Sequence, residues 1–348
     1  MKSKEGFLTA PEKTLRSGGI NDMLDARVIL APMAGVSDAP FRIMCRRNGC
    51  GFAFTEMIDV NGIFYKNVKT LKYLDTLPED RPLGVQLVGA DEKRMLEGAM
   101  LCRDKGYTVI DINAGCPARK VVKGGKGAAL LKDPAKLGRI IGLISSKLDV
   151  DVTVKIRAGW DAESANYLEV AKIAESEGAK AICVHPRTRE EMYRGREISH
   201  HPTREIKAAV NIPVFASGNV FCAKGAEDIL RSTGCDGIFV ARGALGRPWI
   251  FRAIGASLRG EASPGEPCLD AIKTAMADHF SLSEKWYGSF LTVKRMYKHV
   301  TWYLKRYKNL NAVMESYRAV KDASSFEGFL RAIELDGRKM VIAEKVRT

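Results

Sequence analysis

"TVIDINAGCPARKVVKGGKG" (108–127) begins as an apolar, β-branched run and breaks at Ala-Gly-Cys-Pro into a basic, glycine-rich loop. Val109 and Ile110 would point to opposite faces of a strand, so neither face is left for water. Strands apolar on both faces belong to parallel sheets covered by helices. Seven further runs read the same way: "RVILAPM" (27–33), "FAFTEM" (52–57), "LGVQLVG" (83–89), "VTVKIRAG" (152–159), "KAICVH" (180–185), "IPVFASGN" (212–219) and "DGIFVARG" (236–243). Helix-like segments separate them. One is "DEKRMLEGAMLCRDKG" (91–106), with Asp91 as the expected N-cap and Gly106 as the stop. Eight strand–helix units close a (β/α)8 barrel of about 250 residues. An open, doubly wound sheet is the rival arrangement. The runs end on Met33, Glu56, Gln86, Asn113, Lys155, His185, Asn219 and Arg242, and a barrel collects such ends on its catalytic face.

Beyond residue 250 the alternation stops. "SPGEP" (263–267) reads as a linker, and the remainder reads as helices without strands. The expected organisation is an N-terminal extension (1–26), a TIM barrel (27–255) and a smaller all-helical domain (256–348).

The chain has 348 residues, 46% of them hydrophobic, enough for a large core. Its formal net charge of +14 favours a polyanionic partner such as a nucleic acid, with a merely basic surface as the plain alternative. No CxxC pair occurs among the eight cysteines, which excludes a zinc ribbon or thioredoxin-type motif. No metal-ligand spacing surrounds His185. The start lacks an apolar signal core, and no run has the length of a membrane span, so a reducing, cytoplasmic setting is expected.

Two loops fall where barrels bind phosphate, after the seventh and eighth strands: "SGNV" (217–220) and "ARGALGRP" (241–248). Backbone amides near Gly218 and the charge of Arg242 suit an anion, although ordinary turns also use glycine here. "VKGGKG" (122–127) fails the P-loop pattern, because no glycine lies five residues before Gly125 and no Ser or Thr follows Lys126. It reads as a mobile lid or as a solvated basic turn. Lys155 and Arg157 share one side of their strand. A lysine in a barrel mouth needs an anionic partner, either Glu56 or an electron-rich cofactor. Pro117 restricts Cys116 to extended geometry and so aims its thiol, which with a pKa of about 8.5 is mostly protonated at neutral pH.

"APMAGVSDAPFR", "TEM", "VQLVG", "DINAGCPARKVVKGGKGAALL", "VKIRAGW", "VHPRTREEMYRG", "ASGNV" and "ARGALGRPWIF" together resemble the tRNA-dihydrouridine synthases, in particular their bacterial B-type branch. The resemblance spans roughly residues 27–252. It implies an FMN-dependent barrel followed by a helical tRNA-binding domain. FMN contacts carry over to Pro32, Met33, Ala34, Gln86, Lys155, His185, Ser217, Gly218, Asn219, Ala241 and Arg242. Cys116 matches the catalytic acid, and Asn113 and Arg157 line the substrate site. The implied reaction is reduction of tRNA uridine to dihydrouridine: NADPH or NADH reduces FMN, hydride goes to C6, and Cys116 protonates C5. In the tail, Lys294, Lys298 and Lys305 recur near helical spacing and are expected to meet tRNA phosphates. A dihydroorotate-dehydrogenase-like FMN barrel and a non-catalytic RNA-binding protein are the alternative readings.

Overall fold

The structure of the chain, a computed structural model, describes residues 18–194, 197–336 and 339–342. Residues 1–17 of the expected N-terminal extension lie outside the described residues. All eight expected runs form strands: β1 (Val28–Leu30), β2 (Phe52–Phe54), β3 (Leu83–Val88), β4 (Val109–Ala114), β5 (Asp151–Arg157), β6 (Ala181–His185), β7 (Val214–Ser217) and β8 (Gly237–Val240). Each pairs in parallel with the next, and β8 returns to β1, with Ile29 opposite Phe239. β2 pairs with both β1 and β3, so the sheet closes as a barrel and the open doubly wound alternative falls. A two-residue strand, Ile58–Asp59, adds to the edge of β3 beyond the end of β2.

The strands are apolar on both faces because both faces are covered. Outward side chains such as Leu30, Val85, Ile110 and Val154 pack under the helices. Inward ones, including Phe52, Phe54, Phe215 and Phe239, fill the barrel in an aromatic layer whose Phe54 and Phe239 rings stack at 5.6 Å. Met23, from the helix Ile20–Ala26, packs with this layer at 1% exposure. The packed barrel therefore includes residues that precede Arg27. Local signals behave as their chemistry requires. Asp91 caps the helix Glu92–Asp104 by accepting from the Arg94 amide at 2.8 Å, and Gly106 follows it at φ +86°.

A barrel helix, Ile250–Leu258, runs through the expected boundary at residue 255. Helices Leu269–Tyr287, Ser289–Leu304, Leu310–Ser316 and Ala323–Ala332 then form a second core around Met276, Phe280, Met296, Val300 and Phe326. This part is not all-helical, a correction to the expectation. Ile333–Asp336 and Lys339–Ile342 pair antiparallel, with Leu335 opposite Met340. The two short strands close beside the helices because Ile333 and Met340 are buried there.

The helical part docks on the loop after β1 and on the loop after β8. Asp38 caps the helix Ala39–Arg46 and accepts from the Tyr287 hydroxyl at 2.8 Å and from Arg295 at 3.3 Å. Phe41 lies 5.9 Å from the ring of His279 and 5.5 Å from that of His299. A Cβ on Gly246 would sit 2.1 Å from the backbone of Trp302, so glycine permits this contact between loop and helix. Among the described residues, no helix is long and apolar enough to cross a membrane.

Candidate active site

The strand ends gather at the C-terminal mouth of the barrel, where a hydrogen-bonded cluster crosses three adjacent strands. Gln86 on β3 and Asp111 and Asn113 on β4 are all buried, as is Thr153 on β5. Gln86 Nε2 donates to Asp111 at 2.6 Å, and Asn113 Nδ2 donates to Gln86 Oε1 at 2.8 Å. Asn113 Oδ1 turns to the following loop and accepts from the amides of Gly115 at 3.1 Å and Cys116 at 2.8 Å. Asn113 thus holds the cysteine loop in addition to lining the mouth.

Cys116 is half-buried at the start of that loop. Burial raises its thiol above the ordinary pKa, outweighing the backbone bond from Ala118 and the nearby Arg157 cation. The thiol is therefore protonated at neutral pH, as a proton donor requires. Its carbonyl accepts from the Ala128 amide at 3.0 Å, which folds residues 117–127 back on the barrel. Within this basic loop Arg119, Lys120 and Lys123 are exposed, while Lys126 pairs with Asp59 at 2.5 Å.

Arg157 is 2% exposed and donates to three backbone carbonyls, those of Gly115, Thr188 and Met192, each at 2.8 Å. Its guanidinium also lies 5.1 Å from the ring of Tyr193, which is 52% exposed over the mouth. Lys155 is opposite Asn113 and Cys183 in the sheet register, and its charge is felt by Asp111, Cys183 and His185. Among the described residues no ion pair joins Lys155 to Glu56. The Glu56 carboxylate instead accepts from the Gly35 amide in the loop after β1.

His185 ends β6. Its Nδ1 accepts from the Arg187 amide at 3.3 Å, which leaves the ring proton on Nε2. Burial, reinforced by the cations of Lys155, Arg157, Arg187 and Arg242, lowers its pKa to about 2, so the ring is a neutral donor. A Cβ on Gly218 would lie 3.6 Å from Nε2, which places the ring beside the "SGNV" loop. In that loop Ser217 is buried, Gly218 has φ +119° and Asn219 φ +53°. Arg242, exposed after β8, donates to Asn219 Oδ1 at 3.2 Å and lies 5.5 Å from the rings of both Tyr193 and Phe221. Ala241 is half-buried beside it. Pro32 and Met33 are half-buried and Ala34 is exposed in the turn after β1, where the Met33 amide donates to Ser37 Oγ at 2.8 Å.

The candidate site residues of the barrel thus gather at the C-terminal ends of the strands, while the three lysines of the tail lie on one helix and at its end, and only Lys298 reaches the loop after β1. Lys294 and Lys305 are exposed. Lys298 is half-buried, and its ammonium donates to the Gly35 carbonyl, next to Ala34. Four contributors escaped the sequence reading: Asp111, Arg187, Tyr193 and the Asp38 hub. Asp111 alone had a local signal, a carboxylate inside the apolar run "TVIDIN".

The dihydrouridine synthase family model matches residues 29–336. The chain belongs to that family. It is 39% identical over 318 residues to tRNA-dihydrouridine synthase B of Pseudomonas putida, covering 91% of this chain and 94% of the relative. It is 42% identical over 282 residues to the protein of that name in Pseudomonas aeruginosa, covering 81% and 84%. The match in Vibrio vulnificus is 37% over 314 residues, covering 90% and 96%. Among solved structures, histamine dehydrogenase from Rhizobium sp. 4-9 is similar with a TM-score of 0.52 at 12% identity. That similarity covers 74% of this chain and 49% of the other, so the chain spans about half of its length, and it speaks to the barrel fold alone. The family's matched region runs through the barrel and the helical part together.

Proposed function

We propose that this chain reduces uridine in tRNA to 5,6-dihydrouridine, with FMN as resident cofactor and NADPH, or NADH, as reductant. The observation that carries the reading is Cys116: a protonated thiol held at the barrel mouth by Asn113, beside a cation-rich wall. The donor set fits FMN. A phosphate needs cations and backbone amides, and the loops at Ser217–Asn219 and Ala241–Arg242 combine the two. A reduced, anionic ring system needs a cation that does not already bind a carboxylate, and Lys155, opposite Asn113 in the sheet and in no ion pair among the described residues, answers that need. Pro32, Met33 and Ala34 would line the opposite wall, with His185 Nε2–H as a further donor.

When bound, FMN would supply the hydride for uracil C6. The chain supplies the rest. Cys116 gives its Sγ proton to C5, and burial keeps that proton in place at neutral pH. Asn113 and Arg157 hold the loop that presents the thiol. The exposed ring of Tyr193 offers a surface for an unstacked base, which uridine must become to enter the mouth. Lys294 and Lys305 would meet the RNA backbone.

Two measurements test the reading. Heat-released flavin from the purified protein should be FMN, and FAD, or no flavin after saturation with FMN, counts against it. Dihydrouridine-free tRNA incubated with the protein, FMN and NADPH should gain dihydrouridine by nucleoside mass spectrometry. Cys116→Ala should cut that gain by about 10²–10⁴-fold while NADPH still bleaches the flavin. Equal activity of variant and parent would refute the acid role.

A further inference from the structure

The buried end of the mouth cluster determines its polarity. Asp111 is 1% exposed, and its two oxygens accept from different donors: the Thr153 hydroxyl at 2.7 Å and Gln86 Nε2 at 2.6 Å. An ionised carboxylate only accepts, so it fixes which end of the Gln86 amide faces it. Gln86 Oε1 is then left facing Asn113 and accepts from Nδ2 at 2.8 Å. That bond in turn leaves Asn113 Oδ1 facing the Gly115 and Cys116 amides. Reversing Gln86 would set its Nε2 against Nδ2 of Asn113 and its Oε1 against the Asp111 carboxylate, and reversing Asn113 would set Nδ2 against two backbone N–H groups, donor against donor.

We propose that Asp111 is a positioning residue that orients Gln86 and, through it, Asn113, so that the Cys116 loop is clamped by an acceptor. The consequence for proton donation rests on the function proposed above. The clamp itself does not.

Thr153 makes the idea testable, because a hydroxyl can accept as well as donate. In Asp111→Asn, the new amide can donate to Thr153 Oγ1 and keep its oxygen toward Gln86, so the polarity survives. In Thr153→Val, Asp111 still accepts from Gln86, and the polarity again survives. In the double variant, the N–H of the new side-chain amide has no acceptor on the valine side, and it can turn toward Gln86 and reverse the chain of bonds only by releasing the Gly115 and Cys116 amides, so opening of the cysteine loop relieves a buried unpaired donor. Adding Gln86→Glu restores two acceptors in the middle and hence the original orientation of Asn113.

The readout is iodoacetamide alkylation of Cys116 in the full-length protein with excess FMN, followed by peptide mass spectrometry. Exposed Cys222 and Cys268 give the reference rate, and buried Cys45 and Cys102 report general opening. Each single variant should stay within about twofold of the parent. The double variant should raise Cys116 alkylation about tenfold, the scale of one lost net hydrogen bond or slightly more. Gln86→Glu in the double background should bring it back. The proposal is overturned if Asp111→Asn alone matches the double variant, if the double variant is unchanged, if Gln86→Glu fails to restore it, or if Cys45 and Cys102 speed up with Cys116. No tRNA enters this assay, so its outcome stands apart from whether dihydrouridine is made.

Discussion

Arg157 joins two loops that are far apart in sequence. Its Nε reaches back to Gly115, beside the cysteine, and its Nη1 reaches forward to Thr188 and Met192. A lysine carries one compact charge and cannot repeat that fork, so Arg157→Lys leaves buried carbonyls without a donor. We expect it to cost about 2–3 kcal/mol in urea-induced unfolding. A loss below about 0.5 kcal/mol would mean that the guanidinium is not a staple. The sequence placed Lys155 and Arg157 on one side of one strand because the β period is two. It could not show that the partners of Arg157 are backbone carbonyls more than thirty residues away. Cys116 was readable because glycine, proline and a strand end all constrain it locally. Asn113 was readable as a mouth residue, but its bonds to the loop depend on an amide orientation that no residue spacing records.

Among the elements, the eight barrel strands were legible because each is a short apolar run closed by glycine or a polar end. The helical tail was legible only as helices. Its docking depends on contacts such as Tyr287 to Asp38, 249 residues apart, which leave no local periodicity. The same interface buries His279 and His299, at 1% and 2% exposure. Burial lowers His279 to about 4 and His299 well below its ordinary value. A base whose folded pKa is depressed stabilises the fold above its unfolded pKa of about 6.5 and loses that contribution as pH falls through it. His185 acts in the same direction. Asp111, raised to about 6, acts oppositely between about pH 4 and 6, because its protonation favours the folded state there. Burial also lowers His200 and raises Glu56, so with four histidines against two carboxyls the urea midpoint should fall between pH 7 and 5. Each histidine supplies a slope of up to about 1.4 kcal/mol per pH unit below its unfolded pKa. His279→Gln should flatten that fall, and an unchanged slope would show that this imidazole is not buried neutral.

For the whole molecule, the net charge of +14 must be divided between cations that build the protein and cations that face a partner. Arg42 and Arg46 are spent on Asp80, Arg157 on carbonyls, and Lys298 on the Gly35 carbonyl. Lys298 therefore ties the helical part to the loop after β1, and its loss would disturb that loop, which the proposed function places against the flavin, as well as any RNA contact. Lys294, which lies 4.0 Å from the exposed Phe290 ring, and Lys305 face outward and are the cleaner probes. Each phosphate contact contributes about 0.7–0.9 to the slope of log affinity against log salt. Lys294→Gln with Lys305→Gln should lower the slope for tRNA by about 1.4–1.8 if both contact phosphate, with flavin content and NADPH-driven bleaching unchanged. Lys298→Gln should differ in kind, altering flavin retention as well as tRNA affinity, because Gly35 loses its donor. Salt titrations of tRNA binding with each variant separate the two. An unaltered slope in the double variant would leave the tail lysines as solvated surface and move the RNA path to the exposed cations Arg119, Lys120 and Lys123 beside Cys116.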